Sequence, residues 1–179
     1  MSKKQKHLIN LILTAILAAL SVVLGRFFSY NVQDFSIGFG FLPVMICAIF
    51  CGSLWGGVCG ALADFLGAIL FPFGAYFPGF TAVAFLMGVL YGVSGVAERK
   101  FGRGKRFFIL TVISILLGET VGTLLLNSLW LHIMYGRPYL PQIILRIPEA
   151  VLYFVVKTAA AIIIAKVILP IMKKSFKRS

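Results

Sequence analysis

Polar and ionisable side chains interrupt the apolar runs of this 179-residue chain at helical intervals. Arg146, Glu149, Tyr153 and Lys157 stand at offsets of 0, 3, 7 and 11, so a helix would carry them on one stripe. Buried charges are costly unless they are paired or bind a ligand, so these residues are functional candidates. A second stripe follows the same rule on the preceding apolar run: Glu119, Thr123, Asn127 and Trp130.

These stripes have two interpretations, internal pairing or ligand contact. Glu119 and Lys157 lie near the middle of their runs, and an ion pair between them explains both more simply than a ligand does. Arg146 and Glu149 are one helical turn apart and also suit a pair. Four residues nearer the run ends are better candidates for ligand contacts: Arg26, Asn127, Arg146 and Glu149. Asp64 lies in a third apolar run, and we expect it to face the same interior.

Aromatic residues and helix breakers alternate in the segment FPFGAYFPGF, residues 71–80. One interpretation is an interfacial aromatic belt, which is common in membrane proteins. The other is a loop that closes over a flat ring system by stacking. Such a loop at membrane depth must pack on protein or line a cavity. The candidates for this lid are Phe71, Pro72, Phe73, Tyr76 and Phe77, with Trp130 at a similar level.

The elements that position these residues are membrane helices, because the chain is too apolar to fold in water. Hydrophobic residues make up 60% of the sequence and charged residues 12%, and the mean hydropathy is +1.01. Twelve of the 17 basic residues cluster in three places, which argues against nucleic acid as a partner of this chain with its net charge of +12. Basic residues are retained in short cytoplasmic loops, so these places lie in the cytoplasm. They are Lys3, Lys4 and Lys6; Arg99, Lys100, Arg103, Lys105 and Arg106; and Lys173, Lys174, Lys177 and Arg178.

Hydropathy predicts an all-α membrane protein, a single domain over residues 1–179 with six spans in one bundle. A span needs about 20 apolar residues. An even count keeps both termini in the cytoplasm. The polar stripes and the aromatic loop predict an outward-facing ligand pocket in the bundle. The N-terminal run is interpreted as a retained span rather than a cleaved signal. The predicted spans are residues 8–28, 39–50, 55–71, 81–96, 107–134 and 142–172.

Motifs for catalysis, cofactors and metals are missing from the sequence. There is no GxxxxGK[ST] phosphate loop and no HExxH, and two histidines do not support a Ser-His-Asp set. Cys47, Cys51 and Cys59 are interpreted as small buried thiols. We therefore expect no enzymatic activity, no cofactor and no metal.

Small residues give the first span a smooth face. Ala15 and Ala19 form a small-xxx-small pair, which lets another helix approach closely. Two interpretations remain open: packing within the bundle, and docking of a partner protein.

The strings ADFLGAILFPFGAYFPGFT (63–81) and LLNSLWLHIMYG (125–136) resemble the folate-specific substrate-binding components, or S components, of energy-coupling factor (ECF) vitamin transporters. The resemblance covers nearly the whole chain, including Ala15-xxx-Ala19. It implies a multi-pass protein of the bacterial plasma membrane that binds folate or a related pterin from outside. It also implies docking, through Ala15 and Ala19, on a membrane scaffold subunit that carries two cytoplasmic ATPases.

The polar candidates suit the chemistry of folate. A dianionic glutamate tail suits arginine, and Arg26, Arg137 and Arg146 are available. The pterin edge suits a carboxylate or amide, as offered by Asp64, Asn127 and Glu149. Three alternatives stay open: a proton-coupled secondary transporter of a small aromatic anion that uses Asp64, Glu119 or Glu149, an S component for a different vitamin, and a membrane scaffold without a ligand.

Overall fold

The computed structural model describes residues 3–32, 35–72, 74–102, 104–168 and 170–171. Seven α-helices form the bundle: α1 (Lys3–Phe27), α2 (Phe41–Cys51), α3 (Ser53–Leu70), α4 (Pro78–Phe101), α5 (Lys105–Leu117), α6 (Asn127–Tyr135) and α7 (Tyr139–Ile163). Two π-helical stretches, Gly118–Leu126 and Ile164–Ile168, continue α5 into α6 and extend α7. Two short strands, β1 (Ser29–Val32) and β2 (Phe35–Gly38), lie between α1 and α2.

Contacts between residues near the helix ends define two ends of the bundle. At the end that we call the basic end, His7 of α1 packs its ring against Trp55 of α3, and Arg99 of α4 donates to the Ile49 carbonyl of α2. The opposite end, the hairpin end, holds the β1–β2 hairpin, the loop of residues 71–77 and the turn of residues 136–138. Five residues of the predicted basic clusters lie outside the described residues: Arg103, Lys173, Lys174, Lys177 and Arg178.

Five helices of the described chain are long and apolar enough to cross a membrane: Lys3–Phe27, Ser53–Leu70, Pro78–Phe101, Lys105–Tyr135 and Tyr139–Ile168. The second predicted span, residues 39–50, corresponds to α2, which has 11 residues. At about 1.5 Å per residue, α2 covers only about half of a 30 Å hydrocarbon layer. The all-α membrane fold class is confirmed, with α2 as a short helix.

Helices α2 and α3 form a tight helical hairpin. The turn is the single residue Gly52, whose φ of 113° favours glycine. Glycines also bring α3 against α4, since a Cβ on Gly56 would lie 2.6 Å from the Gly88 carbonyl oxygen. Around these contacts the core is apolar, with Met45, Ile49 and Cys59 fully buried. All three cysteines are free, Cys47 and Cys59 buried and Cys51 half-buried, in agreement with their interpretation as small interior thiols.

The segment between the first two predicted spans contains a β-hairpin. Strands β1 and β2 pair antiparallel, with Ser29 opposite Gly38 and Val32 opposite Phe35. The alternation in this segment is too short to be recognised by periodicity, since each strand has four residues. The hairpin leads directly into α2 and so determines where that helix begins.

Candidate ligand-binding site

Two adjoining cavities open at the hairpin end of the bundle. The first has a volume of about 330 Å³ and is enclosed by α1, α2, α3 and α4. The second, of about 250 Å³, lies beneath the loop of residues 74–77 and reaches α6 through Leu131 and Tyr135. Arg26 and Asp64 line both cavities, so one cation and one anion stand where the two spaces meet. Ligand pockets typically have volumes of about 300–1,000 Å³, so the pair suits a small molecule with two polar ends.

Arg26 reaches this position from the last turn of α1. Its guanidinium crosses α3 at Gly67, where a Cβ would lie 3.0 Å from the Arg26 Nε. Because any larger residue at position 67 would displace the arginine, the glycine provides the space for its side chain. The Arg26 side chain is half-buried.

Asp64 is held in place by hydrogen bonds that link three elements. The Thr81 hydroxyl of α4 donates to Asp64 Oδ2 at 2.7 Å. The Tyr76 hydroxyl lies 3.2 Å from the same threonine oxygen and connects the loop to this pair. One oxygen of the carboxylate is therefore used for positioning. The residue is half-buried, at the border of the two cavities.

Aromatic rings form the roof of the second cavity. Tyr76, Phe77 and Phe80 line it, and Trp130 of α6 packs against Phe77 in a tilted arrangement with ring centroids 5.4 Å apart. Of the other candidates in this loop, Phe71 packs edge-on against Phe27 at 5.2 Å and is exposed, as is Pro72. Phe73 lies outside the described residues.

The mid-depth stripe residues form an ion pair, as the pairing interpretation predicts. Lys157 Nζ lies 2.6 Å from Glu119 Oε1, and both side chains are buried. Thr123 donates to the other carboxylate oxygen at 3.0 Å. Glu119 lies in the π-helical stretch Gly118–Leu126, which the sequence pattern does not reveal. A Cβ on Gly118 or Gly122 would lie 3.0 Å from Met87 Sδ, so this stretch packs closely on α4.

The remaining polar candidates lie on α6, on α7 and in the turn between them. Asn127 Oδ1, Trp130 Nε1 and Arg146 Nε are buried atoms without a hydrogen-bond partner in the part of the chain that the structure describes. Glu149 is buried, whereas Arg137 is exposed with its guanidinium over the Tyr135 ring. Within the described residues, Asn127, Arg137, Arg146 and Glu149 do not line the two cavities.

Several residues that line the larger cavity are not among the candidates that the sequence pattern indicates. Ser21, Gly25, Gly40 and Phe41 form one side of the larger cavity, and Tyr91 lies in its wall. The Ser21 hydroxyl donates to the Gly40 carbonyl at 2.6 Å, which closes α1 onto the start of α2. Thr81, the partner of Asp64, stands 17 positions after it, too far for any helical spacing rule to link the two residues.

Ala15 and Ala19 lie on an exposed face of α1, whereas Ala18 is buried in the core. Their neighbours on this face, Ile16 and Leu20, are also exposed. Neither Ala15 nor Ala19 is buried among the described residues, which favours the docking interpretation over packing within the bundle. The face is open to lipid or to a partner.

Comparisons with known proteins agree with this architecture. A family model described as ECF transporter, substrate-specific component, matches residues 10–172. A protein named Folate transporter FolT from Clostridium novyi (strain NT) is 34% identical over 144 residues, 80% of each chain. Another of that name, from Leuconostoc mesenteroides, is 29% identical over 124 residues, 69% of this chain and 64% of that relative.

Solved structures show the same likeness. The crystal structure of FolT bound with folic acid matches with a TM-score of 0.74 and 30% identity, covering 87% of this chain and 91% of that one. ThiT from Listeria monocytogenes matches with a TM-score of 0.57 and 20% identity over 97% of both chains, which shows the shared fold alone. The resemblance of residues 63–81 and 125–136 is confirmed at the level of the family. The chain is a multi-pass membrane protein that belongs to the substrate-specific components of ECF transporters.

Proposed function

We propose that this chain is the high-affinity folate-binding subunit of an ECF-type vitamin transporter. The observation that carries the proposal is the pair of adjoining cavities, where Arg26 and Asp64 stand together beneath an aromatic roof. Relatives at 34% and 29% identity bear the name folate transporter, and a solved relative holds folic acid.

The chemistry of the cavities complements the three parts of folate. The Arg26 guanidinium suits a glutamate carboxylate, which arginine binds with two parallel hydrogen bonds. Asp64 suits the N–H groups at the pterin edge, because a carboxylate accepts hydrogen bonds at two oxygens. Phe77 and Phe80 supply ring faces for stacking against the flat parts of the molecule.

We further propose that the hairpin end faces the outside of a bacterial plasma membrane and that both termini lie in the cytoplasm. The distribution of charge supports this orientation. Lys3, Lys4 and Lys6 precede the membrane part of α1, and Arg99, Lys100, Lys105 and Arg106 surround the α4–α5 turn, so basic residues concentrate at the basic end. A cavity at the hairpin end would then collect its ligand from outside.

Transport requires a motor that this chain does not carry in its sequence. We propose that a membrane scaffold subunit with two ATPases supplies it and docks on the α1 face around Ala15 and Ala19. In this proposal the chain itself is a binding protein and not an enzyme. The exposure of the two alanines supports docking, since small side chains permit close helix contact.

The decisive experiment measures binding and transport separately. Detergent-purified protein is titrated with folate by calorimetry, and its ultraviolet spectrum is examined for a co-purified pterin. We expect tight binding by the isolated chain, and uptake into liposomes only when scaffold and ATPases are added. Uptake by the chain alone under a pH gradient would instead favour a proton-coupled carrier. Absence of folate binding would contradict the proposal.

Docking is tested by enlarging the α1 face. Ala15→Trp and Ala19→Trp are expected to abolish ATP-driven uptake in the reconstituted complex and to leave folate affinity unchanged. Ala159→Trp, on the exposed face of α7, is the matched control and should retain uptake. Loss of folate binding in the α1 variants would place these alanines in the ligand-binding unit instead.

A further inference from the structure

The backbone that closes one side of the larger cavity is anchored from two directions. We call residues Gly38–Phe41, which connect β2 to α2, the wall segment. Gly40 and Phe41 line the 330 Å³ cavity directly. The Ser21 hydroxyl of α1 holds the Gly40 carbonyl at 2.6 Å from inside the cavity. A second anchor comes from α7, behind the wall segment.

That second anchor is Tyr153. The Gly38 amide donates to the Tyr153 hydroxyl oxygen at 2.6 Å, and the hydroxyl lies 3.3 Å from the Gly38 carbonyl oxygen, to which it donates. A single side chain thus holds both backbone polar groups of the last residue of the hairpin. The ring of Tyr153 also meets Phe41 edge-on, with centroids 6.0 Å apart. Tyr153 therefore contacts both ends of the wall segment.

The buried ion pair fixes Tyr153 in turn. Lys157 Nζ stands 4.4 Å from the Tyr153 ring centroid, a cation–π contact, and 5.5 Å from that of Phe41. Glu119 holds the lysine at 2.6 Å from the π-helical stretch. The tyrosine hydroxyl thus bonds to Gly38 from a ring that is held by contacts with both Phe41 and Lys157.

We infer that Tyr153 is a positioning residue that keeps the wall segment closed and so limits the rate at which the bound ligand leaves. The inference rests on the proposed function and adds a residue that does not line either cavity within the described chain. Gly40 and Phe41 line the larger cavity, so displacement of the wall segment would widen this side of the cavity and ease the exit of a bound ligand. Gly40 is the non-helical residue in the described lining of that cavity, and displacement of the wall segment requires both bonds between Gly38 and Tyr153 to break.

The test removes the hydroxyl and keeps the ring. Tyr153→Phe retains the contacts with Phe41 and Lys157 but loses both bonds to Gly38. We expect the folate dissociation rate, measured by chasing bound labelled folate with unlabelled folate, to rise about tenfold, because two hydrogen bonds of ordinary strength are lost. The association rate should change less than twofold. A general loss of stability would not raise the dissociation rate alone.

The matched control is Tyr139→Phe on the same helix, which removes a hydroxyl that donates to the Leu125 carbonyl at 3.4 Å. This variant should release folate at the wild-type rate. A second measurement needs no ligand: hydrogen–deuterium exchange of a peptide covering residues 38–41 should be faster in Tyr153→Phe than in either other protein. Exchange in α3 and α4 should stay the same in all three.

The outcomes separate this inference from the proposed function. A wild-type protein that binds no folate overturns the proposed function, and with it the role in ligand release, even if exchange at residues 38–41 responds to Tyr153→Phe. Tight folate binding with a dissociation rate within twofold of wild type in Tyr153→Phe overturns the inference alone. So does a dissociation rate that rises equally in Tyr139→Phe.

Discussion

The two halves of the bundle treat their charged residues in opposite ways. In the half formed by α5–α7, Glu119 and Lys157 form an ion pair at 2.6 Å, and Thr123 binds the second carboxylate oxygen. In the half formed by α1–α4, Arg26 and Asp64 stand at the border of two cavities, and both are half-buried. The first arrangement is filled by protein, whereas the second leaves space beside both charges.

This difference separates two reasons for placing charge at membrane depth. A pair that is fully buried and hydrogen-bonded stabilises an arrangement of helices once its desolvation is offset. Charges that line a cavity remain available to a ligand that brings the opposite charge. Spacing along one helix predicts both groups of residues equally well, so only their surroundings distinguish them.

The largest expected effect comes from breaking the buried pair. Lys157→Met leaves the Glu119 carboxylate buried without its cation, so we expect the free energy of unfolding to fall by about 3–5 kcal/mol. Thermal unfolding in detergent measures this loss. The double variant Glu119→Leu with Lys157→Met should recover most of the stability, because no charge then remains unpaired.

The control is Lys166→Met, at an exposed position in the π-helical stretch that extends α7. This variant should unfold like the wild type. If Lys157→Met unfolds like the wild type and has lost only folate affinity, the comparison between the two halves of the bundle is reversed. This result would assign the pair to ligand binding rather than to structure.

An effect of nearly the same size is expected at the cavity border. Arg26→Ala should weaken folate binding well over tenfold, since a buried contact to a charged group is worth about 2–5 kcal/mol. Calorimetry measures the affinity. Arg106→Ala, at the exposed start of α5 in the basic end, is the control for loss of one positive charge.

Arg146→Ala sharpens this prediction, because Arg146 is the half-buried arginine of the other half of the bundle. A large loss with Arg26→Ala alone would place the anionic tail between α1 and α3. A large loss with Arg146→Ala alone would move the tail toward α7. Unchanged affinity in both variants would exclude both arginines as its partner.

The smallest effect is expected from the residue that positions Asp64. Thr81→Val removes the donor at 2.7 Å from Asp64 Oδ2 and should weaken folate binding about fivefold, the value of one hydrogen bond near 1 kcal/mol. Thr81→Ser keeps the hydroxyl and should bind like the wild type. Equal affinity of the valine and serine variants would show that the carboxylate needs no support from α4.

The sequence by itself determined the fold class and favoured an ion pair between Glu119 and Lys157, which the tertiary structure then confirmed. Apolar run length, basic flanks and helical spacing are local properties, readable within one segment of chain. The same kind of pattern placed Arg26 and Asp64 in membrane helices and singled them out as candidates. The strings at 63–81 and 125–136 indicated the family for a similar reason, since they are continuous.

The tertiary structure alone decided which of these residues meet. Thr81 supports Asp64 because α3 and α4 pack closely at Gly56 and Gly88, and Arg26 reaches the cavities because Gly67 leaves room for it. The four-residue strands and the π-helical stretch are too short or too irregular to leave a period in the sequence. The anchoring of Gly38 by Tyr153 joins residues 115 positions apart, a relation set by how helices pack and not by the spacing along any one of them.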